Sequence, residues 1–166
     1  MKITIHNLSS RKRIGPAIAM LTSYDYPTAL LEDAGGIDIQ LIGDSVGTNV
    51  LGYESVEHVT MDDMIHHCRA VARGAKQSFV LCDMPFGSFQ TPSVATANAQ
   101  RLVQAGANGV KMEGEHGVIE SIRAVTDAGI PVCSHIGYTP QTNGAKASVQ
   151  GKDIARARDL LAISRR

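Results

Sequence analysis

The chain has 166 residues, 43% hydrophobic and 19% charged, which suits one domain (1–166) with a sizeable core and is too apolar for disorder. Sixteen basic residues balance sixteen acidic ones, aromatics are 4% and Trp is absent, so a nucleic-acid partner, an anionic membrane surface and a single-strand stacking platform are disfavoured. No apolar run approaches the ~18 residues of a bilayer span, and the stretch behind Lys2, Arg11, Lys12 and Arg13 is too short for a signal peptide, so a soluble cytoplasmic protein is expected.

Strand-like and helix-like segments alternate along the chain. Ala17 to Thr22 is a short apolar strand, and Pro27 to Ala34 a helix stopped by Gly35 and Gly36. Ile37 to Ile42 is the second strand, ending at Gly43, Asp44 and Ser45. Thr60 caps a helix that runs to about Gly74, with Asp63 at the capping-box position. Ser78 to Cys82 is the third strand, followed by Asp83, and Ser93 to Ala105 a helix closed by Gly106. Gly109 to Glu113 is the fourth strand, Glu115 to Ala128 a helix, Ile130 to His135 the fifth strand, and Lys152 to about Ser164 a last helix. Gly47 to His58 and Tyr138 to Gly151 read as loops. Strand alternating with helix means βαβ units, a parallel sheet and an α/β fold.

Asp44, Asp83, Lys111, Glu113 and His135 all fall at or just past the C-terminal end of a strand, the edge where parallel α/β folds build their sites. Each also has a plainer reading. Asp44 suits a helix cap or an Asx-turn. Lys111 and Glu113, two apart on a strand, face one side and suit a buried ion pair. His135 suits an ordinary core or surface histidine and has no identified orienting partner. Against these stands a chemical reading in which Asp44 and Asp83 share one Mg²⁺, beside an anion clamp at Lys111 and a third carboxylate at Glu113. His58, Asp62 and His66 are better explained by helix-start electrostatics than by zinc, and His66 and His67 read as helix surface. Cys68, Cys82 and Cys133 lack CxxC spacing and read as buried reduced thiols. A GxGxxG fingerprint, a Walker A loop and a GxSxG elbow are all absent, so dinucleotide binding, P-loop chemistry and serine hydrolysis are poorly supported.

An ordered set of short motifs runs the length of the chain: Leu21 to Tyr26, Gly43 to Gly47, Asp83 to Phe86, Gly106 to Gly114, Pro131 to Gly137, Thr139 to Gln141 and Val149 to Lys152. Together they resemble the ketopantoate hydroxymethyltransferase family. The resemblance implies a (β/α)8 TIM barrel of the phosphoenolpyruvate-binding superfamily, here reaching about five βα units. It implies transfer of a one-carbon unit from 5,10-methylenetetrahydrofolate to 3-methyl-2-oxobutanoate, giving 2-dehydropantoate on the route to pantothenate. By motif position, Asp44, Asp83 and Glu113 match the Mg²⁺ site. Asp44, Ser45, Asp83 and Lys111 match the oxo-acid contacts, and His135 matches a site histidine of unassigned role. The family forms large homo-oligomers (decamers).

Members of that family are roughly a hundred residues longer, the size of a closed barrel, and their catalytic glutamate follows the sixth strand, so the catalytic base is not assigned within this chain. The loop from Gln141 to Val149 looks shorter than the family's. The expectation is a chain that binds the oxo acid but transfers little, with open sheet edges that promote association. Two alternatives stand beside it: a Mg²⁺-dependent carbon–carbon lyase on a 2-oxo acid, and a non-catalytic fragment.

Overall fold

The computed structural model describes residues 1–11, 14–114, 116–143 and 148–165. Five strands, β1 (Met20–Thr22), β2 (Ile39–Ile42), β3 (Phe79–Asp83), β4 (Gly109–Glu113) and β5 (Val132–His135), form one sheet. All pairings are parallel and the spatial order equals the sequence order. A doubly wound sheet would reverse direction at a switch point. A sheet that keeps adding each new strand on the same side fits part of a (β/α)8 barrel, the fold that the family resemblance implies.

Helices α2 (Tyr26–Ala34), α3 (Met61–Gly74), α4 (Pro92–Ala105) and α5 (Ile119–Asp127) cross over between strands. The period of two along each strand sorts the side chains by face. Ile42, Val80, Cys82, Val110 and Met112 meet Met64, Cys68, Val71 and Leu102 from the helices in the main core. Phe79 and Leu81 point the other way, into a smaller cluster with Leu8. Leu8 lies on α1 (Ile5–Arg11), a helix absent from the expected element list. This helix is tied to the sheet's N-terminal end by Ile3 N–H donating to the Gln77 carbonyl at 2.7 Å and by the Arg11–Asp38 ion pair.

Helix ends follow their local chemistry. Thr60 and Asp63 form the expected capping box on α3. Gly106 closes α4 at φ +114°, where a side chain would be strained and its Cβ would stand 2.5 Å from the Ala72 Cβ. Two expectations shift. The helix placed at Glu115 to Ala128 begins with a 3-10 turn over His116–Val118 before α5, and Glu115 itself lies outside the described residues. The stretch from Tyr138 to Gly151 contains a one-turn helix, α6 (Pro140–Asn143), ahead of α7 (Ile154–Ile163). Lys12, Arg13 and most of the Gln141 to Val149 loop lie outside the described residues. Cys68 and Cys82 are buried as expected, but Cys133 is exposed, because β5 is an outer strand among the described residues. No helix of the described residues is long and apolar enough to cross a membrane.

Candidate active site

Strand register brings the expected residues together at the C-terminal edge of the sheet. Asp83 sits opposite Lys111, and Glu113 opposite His135. Paired residues of neighbouring strands lie about 5 Å apart, so each pair is in reach without help from a loop. Lys111 Nζ donates to Asp83 Oδ1 at 2.8 Å. His135 Nδ1 lies 3.0 Å from Glu113 Oε2. An ionised carboxylate only accepts, so Nδ1 is the donor in this contact. His135 therefore does have an orienting partner, which strand order alone had not disclosed.

Asp44 and Ser45 come from the turn after β2. Asp44 N–H donates to Asp83 Oδ2 at 3.1 Å, which ties this turn to β3. The Asp44 side chain caps no helix: the helical turn that follows starts from Val46 with no side-chain cap, and the carboxylate accepts from Gln141 Nε2. A Cβ at Gly43 would lie 2.8 Å from Ser45 Oγ and would displace that hydroxyl. Ser45 Oγ shares a 2.8 Å hydrogen bond with the Tyr24 hydroxyl, and Asn49 Nδ2 donates to that hydroxyl at 3.2 Å. His67, expected on a helix surface, is half-buried and holds the Tyr24 carbonyl through Nδ1 at 2.7 Å.

Gln141, at the end of the Thr139 to Gln141 motif, joins two members of this cluster. Its backbone N–H donates to Glu113 Oε1 at 2.6 Å. Its side-chain Nε2 donates to Asp44 Oδ2 at 2.7 Å and to the Met84 carbonyl at 3.0 Å. No short-range sequence signal marks it, because its partners lie 28, 57 and 97 positions away.

The electrostatics are those of a site short of positive charge. Asp44, Asp83 and Glu113 are 8%, 4% and 5% exposed, and Lys111 is the one lysine among them. Burial, then the Asp83 charge, pushes the Asp44 carboxyl above the usual carboxylate range, against the Gln141 hydrogen bond. Burial also pushes Asp83 up, against the pull of Lys111. Burial would lower Lys111, but Asp83, Asp44 and Glu113 together outweigh it and hold the ammonium protonated.

No three His, Cys, Asp or Glu side chains of the described residues converge closely enough to cage an ion. Mg²⁺ does not ask for a cage. It takes one or two carboxylates and keeps several waters. Hard oxygen donors, burial and uncompensated negative charge fit that ion, with Asp44 and Asp83 as the direct candidates. Glu113 is the third carboxylate beside them, and both its oxygens, like both of Asp83, accept hydrogen bonds.

A sequence profile described as ketopantoate hydroxymethyltransferase matches residues 2–166. The chain belongs to the ketopantoate hydroxymethyltransferase family. It is 48% identical over 165 residues to the 3-methyl-2-oxobutanoate hydroxymethyltransferase of Acetivibrio thermocellus, covering 96% of this chain and 58% of that one. The enzyme of the same name from Desulfotalea psychrophila is 48% identical, with 100% and 61% covered. The chain thus spans about three-fifths of the length of these family members. Among solved structures, a phosphoenolpyruvate phosphomutase from Streptomyces platensis subsp. rosaceus superposes with TM-score 0.71 at 14% identity, covering 97% of this chain and 61% of that one. A 2,3-dimethylmalate lyase, a PEP mutase/isocitrate lyase superfamily member, gives 0.63 at 14% identity, with 99% and 60% covered. Phosphonopyruvate hydrolase, solved with oxalate and Mg²⁺, gives 0.64 at 14% identity, with 76% and 50% covered. At such identities these neighbours establish the barrel fold of the family and nothing further.

Proposed function

We propose that the Asp44, Ser45, Asp83, Lys111, Glu113 cluster is the oxo-acid and metal site of a hydroxymethyltransferase. The reaction moves a one-carbon unit from 5,10-methylenetetrahydrofolate to 3-methyl-2-oxobutanoate and yields 2-dehydropantoate. The observation that carries this reading is the buried carboxylate cluster with its single lysine, in a chain of this family.

Asp44 and Asp83 would hold Mg²⁺, with Glu113 as the third carboxylate beside them. When bound, the ion supplies Lewis acidity to the keto group of a chelating 2-oxo acid. Lys111 keeps its proton and offers a fixed positive charge to the carboxylate or to the developing enolate oxygen. Ser45, steadied by Tyr24, offers a hydroxyl to orient the acid. His135 is oriented by its Nδ1 contact with Glu113, and for removal of the C3 proton the family resemblance implies a glutamate that is not assigned within this chain. The free thiols Cys68, Cys82 and Cys133 suit a reducing, cytoplasmic setting, and the family resemblance supports a homo-oligomer.

The test is calorimetric titration of 3-methyl-2-oxobutanoate into the 166-residue chain with and without Mg²⁺, beside deuterium exchange at C3. Mg²⁺-dependent binding, lost in Asp83→Asn, is expected. Binding that is indifferent to the ion and to Asp83 would overturn the reading. Folate-free retro-aldol cleavage would instead assign a carbon–carbon lyase.

A further inference from the structure

We propose that Gln141 is a positioning residue that locks Asp44 and Glu113 into their working orientation. This rests on the reading above, in which Asp44 takes part in holding a divalent cation. Asp44 follows β2, Met84 follows β3 and Glu113 ends β4, so three adjacent strand ends meet one residue that arrives from beyond β5. The backbone end of Gln141 is fixed on Glu113 and the far end of its side chain on Asp44. The residue is a strap across the mouth of the site.

The orientation of the amide is settled by chemistry. Its inner end faces a carboxylate oxygen and a backbone carbonyl, both acceptors, so only the NH₂ group fits there. The cost is visible at the other end. Gln141 Oε1 is buried with no hydrogen-bond partner among the described residues. An unpaired buried acceptor is unfavourable, and it persists because two donor bonds, one to a charged oxygen, outweigh it. The strap also divides the labour of Asp44. Oδ2 is committed to Gln141, so Oδ1 is the oxygen offered to a cation.

Length is part of the function. Parallel strands are spaced about 4.8 Å apart, so Asp44 and Glu113 are two strand spacings from each other. Glutamine spans the gap from its own backbone nitrogen. Asparagine, one methylene shorter, cannot hold both ends, and methionine has the length without the donors.

The probe is Mn²⁺, which uses the same oxygen-donor chemistry as Mg²⁺, titrated into the 166-residue chain by calorimetry and followed by electron paramagnetic resonance. Gln141→Met and Gln141→Asn should each weaken Mn²⁺ binding by about 10- to 100-fold, the usual cost of losing a residue that orients a metal ligand. Both should also change the bound-ion spectrum. Val125→Ala, a core change on α5, should lower the melting temperature and leave the affinity and spectrum unchanged. Wild-type affinity and spectrum in both Gln141 variants would overturn the inference while leaving the metal site intact. A wild-type chain that binds no Mn²⁺ would overturn the metal site and the strap together. If one Gln141 variant does not fold, the other decides.

Discussion

Asp83 and Lys111 face each other across neighbouring strands, and removing either leaves the other's charge buried. Lys111→Met should therefore destabilise the chain by about 3–5 kcal/mol in chemical unfolding. The double variant Asp83→Leu with Lys111→Met should recover much of that loss, since the charge that lacked a partner is gone. Loss of equal size in both would mean that packing, not charge, dominates here. The raised carboxyls of Asp44 and Asp83 give a second expectation. An acid whose folded pKa is raised keeps its proton in the folded state after the unfolded chain has released it. The contribution of these two groups to stability is then greatest below the ordinary Asp value of about 3.9 and is lost as pH rises through the folded values. A cation relieves that cost only where the carboxyls are ionised. Mg²⁺ should stabilise the chain by roughly 2–3 kcal/mol at a hundredfold excess over Kd near neutral pH, and by much less near pH 4. Differential scanning calorimetry at the two pH values checks this, and an equal increment at both would mean that these carboxylates are not the ligands.

Element ends were the most legible part of the sequence because their chemistry is local. Thr60 and Asp63 sit three residues apart and form the capping box that spacing alone announces. Thr60→Ala should cost about 1 kcal/mol in thermal or chemical unfolding. Gly106 was legible as a helix stop, but its tight approach to Ala72 was not, since that neighbour belongs to another helix. Gly106→Ala combines a positive φ with a steric clash and should cost more, about 1–3 kcal/mol. The same contrast separates the site residues. Asp44, Asp83, Lys111, Glu113 and His135 were visible because each closes an apolar strand. What was invisible was their pairing, which depends on register between strands, and the roles of Tyr24 and Gln141, which act across long separations. The N-terminal α1 escaped because Ile5 to Arg11 carries one buried apolar position, too little for a periodic signal.

At the scale of the molecule, the inner face of the sheet governs behaviour. In a closed barrel this face is filled by layers of side chains from all strands. Among the described residues β1 and β5 each pair on one side only, and every residue of β1 is exposed. Ile18, Met20, Leu81, Val132 and Cys133 line an apolar cavity of about 630 Å³ on this face, partly covered by α1. Two unpaired parallel edges beside an apolar concavity invite pairing with further polypeptide. The 166-residue chain should accordingly associate in a concentration-dependent manner in sedimentation velocity. Met20→Lys places a charge at the edge and on the apolar lining at once, where neither a strand partner nor a packed layer tolerates it easily. That variant should shift the distribution toward monomer. A wild-type chain that sediments as a monomer at every concentration would show that α1 shields the face well enough alone. A Met20→Lys variant that still associates fully would move the contact to the outer helices.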